Sequence, residues 1–235
     1  MTARPRTPSS HPDTVGTLRV SARRLTSGAG HDGGGDLHGV VDTPFGTRLL
    51  IGDVMGKGPE LSRTADAVLQ AWRQLAQQQR SLEVLAVRLH SLVTHSDDPD
   101  RFVTATLVTI AQDRSAELVC CGHPPPLLLR GGGAVPAAVP APAPPLGLLD
   151  LAHGWCAAQP ILSSAWDRML LHTDGASEAR DATGTFYPLA ERAAELSRTP
   201  LAVFTSALAG DLLHHAQGRL QDDASLLAVE SAPVG

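Results

Sequence analysis

Four short acidic signatures hold the residues that could do chemistry in this chain. Gly34-Gly35-Asp36 precedes an apolar run beginning at Leu37, and Gly52-Asp53-Val54-Met55-Gly56-Lys57-Gly58 follows Leu49-Leu50-Ile51. Thr173-Asp174-Gly175 follows Leu170-Leu171, and Asp222-Asp223 stands just before Ala224. In each, an aspartate abuts a run of the kind that becomes a buried strand. An unpaired carboxylate there loses several kcal/mol of hydration, so something must neutralise it. Hard cations such as Mg²⁺ and Mn²⁺ take oxygen ligands and keep several waters, so three or four carboxylates from separate strands suit two ions that share one bridging carboxylate. Glycines beside the acids let backbone and phosphate approach closely. Asp-Gly and Asp-Asp also serve as plain turns, and their recurrence at four strand edges sets a shared metal centre beside that reading.

Such a centre needs strands that end together. Leu18–Leu25 reads as a strand, and Leu37–Val41 and Thr47–Ile51 read as a hairpin turning through Pro44 and Gly46. Pro59 and Glu60 open a helix whose apolar face is Leu61, Ala65, Val68, Leu69, Trp72 and Leu75. Ser81 caps a second helix with Leu82, Leu85, Ala86, Leu89, Leu92 and Val93 inward, ending in the cluster Ser96 to Pro99. Extended runs follow at Phe102–Ile110, Ala116–Cys121 and Leu127–Arg130, while Gly131–Pro145 reads as a surface loop unable to hold a ladder. Met169–Thr173 and Ala224–Val229 are further strands, with helices at Leu189–Leu196 and Leu201–His214 between them. Hairpins alternating with helix pairs favour a layered α+β sandwich of mostly antiparallel sheets over a doubly wound parallel sheet.

The 235 residues fit one domain, expected over 16–232, behind a disordered tail at 1–15 that carries Pro5, Pro8 and Pro12. Hydrophobic residues make up 43% and aromatics only 3%, so aliphatic side chains must fill the core. A net charge of -5 leaves no basic footprint for nucleic acid. No run reaches the roughly eighteen apolar residues of a membrane span, and the amino terminus lacks the apolar core of a signal peptide, so a soluble, cytoplasmic protein is expected. The three cysteines, Cys120, Cys121 and Cys156, form no CxxC pair and read as buried thiols in a reducing compartment.

The signatures, together with Gly122-His123-Pro124-Pro125-Pro126-Leu127 and Pro144-Pro145-Leu146-Gly147, stand in the order seen in PPM-type (protein phosphatase 2C-like) metal-dependent serine/threonine phosphatases. The chain most resembles the bacterial SpoIIE-like branch, over residues 18 to 230. The resemblance implies a four-layer α-β-β-α sandwich, two sheets flanked by helix pairs, with the metals at one end of the sheets. It further implies that Asp53 bridges two cations, Mn²⁺ or Mg²⁺, that Asp36 and the Val54 carbonyl complete one site, and that Asp174 and Asp222 complete the other. Asp53, Asp174 and Asp222 would then serve an activated water that hydrolyses phosphoserine or phosphothreonine on a regulatory protein of the anti-anti-sigma type.

The chain departs from that pattern in places. The Gly-Gly-Asp motif usually continues with an aromatic and often an acidic residue, where this chain has His38 and Gly39; a catalytically weakened binding module of the same fold is therefore the alternative. Met55 occupies the place of a histidine proposed as general acid in eukaryotic members, which would leave leaving-group protonation to water on the metals. Gly28-Ala29-Gly30-His31-Asp32-Gly33 matches GxGxxG but no helix begins there, and Lys57 lacks the serine or threonine of a phosphate loop. His123 reads as a turn residue or as a flank of the cleft, and Arg23 and Arg24 as a solvated strand face or a phosphate contact.

Overall fold

A computed structural model describes residues 12–27, 34–56, 58, 60–95, 101–153 and 155–232. In chain order the elements are β1 (Asp13–Val15), β2 (Leu18–Leu25), β3 (Leu37–Thr43), β4 (Gly46–Val54), α1 (Glu60–Gln78), α2 (Leu82–Thr94), β5 (Val103–Ile110), β6 (Ala116–Cys121) and β7 (Leu127–Arg130). They continue as β8 (Gly133–Pro136), β9 (Gln159–Ile161), β10 (Arg168–His172), α3 (Asp174–Ser177), α4 (Leu189–Glu195), α5 (Leu201–His215) and β11 (Ala224–Ser231). One sheet runs β1-β2-β11-β10-β7-β8 and the other β3-β4-β5-β6-β9, with every pairing antiparallel.

Period-two alternation explains the layering, because successive side chains of a strand point to opposite faces. Leu49 and Ile51 of β4 enter a core between the sheets, where they meet Met169 and Leu171 of β10 and Leu227 and Val229 of β11. Leu50 and Val54 point the other way, into a core shared with Val68 and Trp72 of α1 and Leu85 and Leu89 of α2. Leu170 and Leu226 face Phe204 and Leu208 of α5 in a third core. The result is the expected α-β-β-α sandwich. Strands buried on both faces carry near-continuous apolar runs, and each fully buried leucine or valine contributes about 1.5–3 kcal/mol. The adjacent thiols obey the same rule: Cys120 lies in the core between the sheets and Cys121 in the core beneath the helices.

The Ser81 hydroxyl accepts from Val84 N (3.1 Å), so the expected cap of α2 is present. Carbonyls at and just beyond the end of α1 are satisfied from the sheet: buried Arg48 on β4 donates to Ala76 O in the last turn and to Gln79 O and Arg80 O after it, at 2.9, 2.6 and 2.6 Å. That guanidinium pins α1 to the sheet on which it packs.

Several expectations shift. Gly131–Pro145 is not all loop: Gly133–Pro136 pairs with β7 as an exposed edge strand, a place where proline and glycine cost little because one side of the ladder faces solvent. Asp13–Val15, placed in the tail, pairs with β2, while residues 1–11 lie outside the described residues. β4 runs through to Val54, so Asp53 sits within the strand and not after it. Leu92 is 38% exposed rather than inward. The Gly28–Gly33 motif, Lys57 and the Ser96–Pro99 cluster lie outside the described residues. Among those described, no helix is long and apolar enough to cross a membrane.

Candidate metal centre

The acids converge because of strand direction. β3 starts where β4 ends, with Leu37 opposite Gly52, and β10 ends where β11 starts, with His172 opposite Leu226. The two sheets present these ends on the same side of the sandwich, and Thr173 Oγ1 donates across the gap to Asp36 Oδ2 (3.1 Å) while accepting from Ser225 N (2.9 Å). The negative charges of Asp36, Asp174 and Asp222 all bear on Asp53. Residues separated by more than a hundred positions thus share one patch.

Its electrostatics are those of crowded, partly buried acids, with Arg24 as a counter-charge that reaches Asp36 and Asp223. Asp36 is 5% exposed, and burial pushes its pKa up to about 7 against the Thr173 hydrogen bond and the Arg24 charge. Burial, then repulsion from Asp36, Asp174 and Asp222, pushes Asp53 up to about 8. Burial also raises Asp222, against the hydrogen bond from the Asp223 amide, and Asp174 and Asp223 add repulsion.

Oxygen-only donors fit a hard divalent cation. So does the cradle beneath them. A Cβ on Gly35 would stand 2.4 Å from Asp53 Oδ1 and 2.6 Å from the Val54 carbonyl oxygen, so the glycine leaves open the space that both oxygens face. The shell is not closed, however: among the described residues no three Asp, Glu, His or Cys side chains form a ready metal-binding group. Two of the acids are turned onto local backbone instead. Asp174 Oδ1 accepts from Gly175 N (2.8 Å) and Asp222 Oδ1 from Asp223 N (2.7 Å). Asp174 opens the short helix α3, so its backbone is fixed at a helix N-terminus.

Other expected residues fall on either side of this patch. Gly39 faces away from it, since a Cβ there would meet Trp72 Cζ3 at 2.6 Å and Leu69 Cδ1 at 2.9 Å on α1. Arg24 pairs with Asp223 Oδ2 (3.3 Å), whereas Arg23 turns to Ser206 Oγ on α5 (2.6 Å). Met55 is exposed at the rim. Asp223, not singled out from its neighbour by sequence, also accepts from Ser27 N (2.9 Å) and so ties β2 to the acidic end. Thr173 was legible only as a neighbour of Asp174; its contact with Asp36 is a product of the fold.

Two antiparallel sheets packed face to face between helices, with acids gathered at one end, define a PP2C-type phosphatase fold. The family described as Stage II sporulation protein E (SpoIIE) matches residues 43–231, and this chain belongs to it. Among solved structures, the RsbU and RsbW domains of a Mycobacterium tuberculosis protein match with TM-score 0.79 and 21% identity, over 95% of this chain and 62% of that one. The PP2C phosphatase domain of SpoIIE from Bacillus subtilis, with a fragment of its regulatory domain, matches with TM-score 0.73 and 15% identity, over 93% and 64%. RsbX in complex with magnesium matches with TM-score 0.68 and 13% identity, over 94% and 99%. The chain spans less than two thirds of the first two structures. No curated protein matches it by sequence.

Proposed function

We propose that this chain is a metal-dependent protein phosphatase that hydrolyses phosphoserine or phosphothreonine on a regulatory protein. The observation that carries the proposal is the mutual repulsion centred on Asp53, whose carboxyl is pushed up to about 8 by burial and by three other aspartates. Folding such a group costs stability unless a cation compensates it. Asp53 would bridge two divalent cations, with Asp36 and the Val54 carbonyl on one and Asp174 and Asp222 on the other. Bound there, Mn²⁺ or Mg²⁺ would lower the pKa of water and offset charge on the phosphoryl oxygens. The chain's own part is positioning. Thr173 orients Asp36, the strand backbone of β4 aims Asp53, and Asp223 holds Arg24 beside the patch, where the guanidinium adds positive charge near an incoming phosphate. The magnesium complex of RsbX supports a divalent ion, and the RsbU and RsbW domains found in one neighbour support a regulatory protein as substrate, for which the motif resemblance implies the anti-anti-sigma type. The weakened-module alternative rested on Gly39, whose missing side chain would point at Trp72 and not at the acids.

The test is phosphate release from a phosphoserine peptide with Mn²⁺, with and without a chelator, by the chain and by Asp53→Asn and Asp174→Asn. Release that needs Mn²⁺ and disappears in both variants is expected. Release that survives the chelator, or full activity in either variant, would remove the proposed centre.

A further inference from the structure

His123 closes the β6–β7 turn at the acidic end, is 6% exposed, and spends both ring nitrogens on the two sheets. Its Nε2 lies 3.1 Å from His172 O, the last residue of β10, and its Nδ1 lies 3.0 Å from Thr104 Oγ1 on β5. A carbonyl oxygen only accepts, so Nε2 carries the proton. Burial, reinforced by the neighbouring His172, lowers the ring's pKa to about 3, which keeps it neutral and leaves the Nδ1 lone pair to accept from the Thr104 hydroxyl. Thr104 is the register partner of Asp53 across β4 and β5; its one hydroxyl proton goes to His123, so the strand ladder, and not the 3.4 Å approach of its Oγ1 to Asp53 O, links it to Asp53. On the other side, His172 leads directly into Thr173, which holds Asp36, and Asp174. One imidazole therefore connects the strand pair bearing Asp53 to the strand end bearing Thr173 and Asp174.

Packing between two sheets is non-directional, whereas hydrogen bonds fix distance and angle. At this end the sheets also carry acids that repel one another. We propose that His123 is a positioning residue that sets the separation of the two sheets at the acidic end, and with it the spacing between Asp53 and Asp174. The inference rests on the metal-centre reading above. It assigns His123 no contact with substrate or cation; it acts through the backbone at Asp53 and His172.

Mn²⁺ binding to the full chain tests it, followed by calorimetry and by electron paramagnetic resonance, whose line shape depends on the separation of two bound ions. His123→Leu keeps apolar volume and loses both hydrogen bonds; His123→Gln retains one donor and one acceptor; Thr104→Val removes only the hydroxyl. His123→Leu and Thr104→Val are expected to weaken Mn²⁺ binding about 10- to 100-fold, the usual range for residues that orient ligands. Both should alter the two-ion spectrum and lower kcat at saturating Mn²⁺ more than they change KM, and His123→Gln should recover most of the loss. Should His123→Leu fail to fold, the half-buried Thr104→Val carries the same comparison. Wild-type affinity and spectrum in the Leu and Val variants, or a Gln variant no better than Leu, would overturn the positioning role while leaving the metal centre standing. No Mn²⁺ binding by the unaltered chain, or binding indifferent to Asp53→Asn, would overturn the centre itself and this inference with it.

Discussion

Removing a charge from the acidic end should make the metal-free protein more stable. The Asp53 carboxyl moves from an ordinary value of 3.8 to about 8 in the folded chain, so between those pH values the unfolded chain has released a proton that the folded chain still holds. Unfolding then becomes easier as pH rises, at about 1.4 kcal/mol per unit, and the full cost, at most roughly 6 kcal/mol, is reached above pH 8. Below pH 3.8 the group contributes nothing. Part of that cost depends on Asp36, which burial pushes up to about 7 and whose charge raises Asp53, so the two are not additive. Asp53→Asn, isosteric and neutral, should raise the stability of the chelator-treated protein at pH 8.5 by about 2 kcal/mol or more, with the gain shrinking to near zero by pH 4. Urea unfolding at a series of pH values measures this. Adding Mn²⁺ at pH 8 should reverse the order, because only a chain that binds the ion gains RT ln(1 + [Mn²⁺]/Kd). An Asn variant destabilised equally at pH 4 and 8.5, or stabilised by Mn²⁺ as much as the original chain, would refute the reasoning.

Two further substitutions separate the cradle from the packing. Gly35→Ala places a methyl group 2.4 Å from Asp53 Oδ1 and should cut Mn²⁺ affinity about tenfold or more by calorimetry, a perturbation comparable to the loss of an orienting partner. Gly39→Ala should instead cost about 1–3 kcal/mol in urea unfolding, because its methyl meets Trp72, yet leave phosphate release per folded molecule unchanged.

The sequence alone determined most elements and nominated the acids of the candidate site. Alternation in Leu49-Leu50-Ile51 and Leu170-Leu171, three-four spacing from Leu61 to Trp72, and Ser81 as a cap are local signals, set by residues within one or two turns of each other. Asp36, Asp53, Asp174 and Asp222 stood out for the same reason, as acids beside strands. Local signals were weakest where a segment depends on its neighbour: the edge strand Gly133–Pro136 has no apolar pattern of its own and exists through pairing with β7. Only the tertiary structure decided what each acid feels and which bystanders matter. Asp36 meets Thr173 across 137 positions, Gly39 is small because Trp72 lies against it, and His123 spans two sheets from within a turn. Such contacts depend on strand order and on how closely layers approach, and those are properties of the packed chain as a whole.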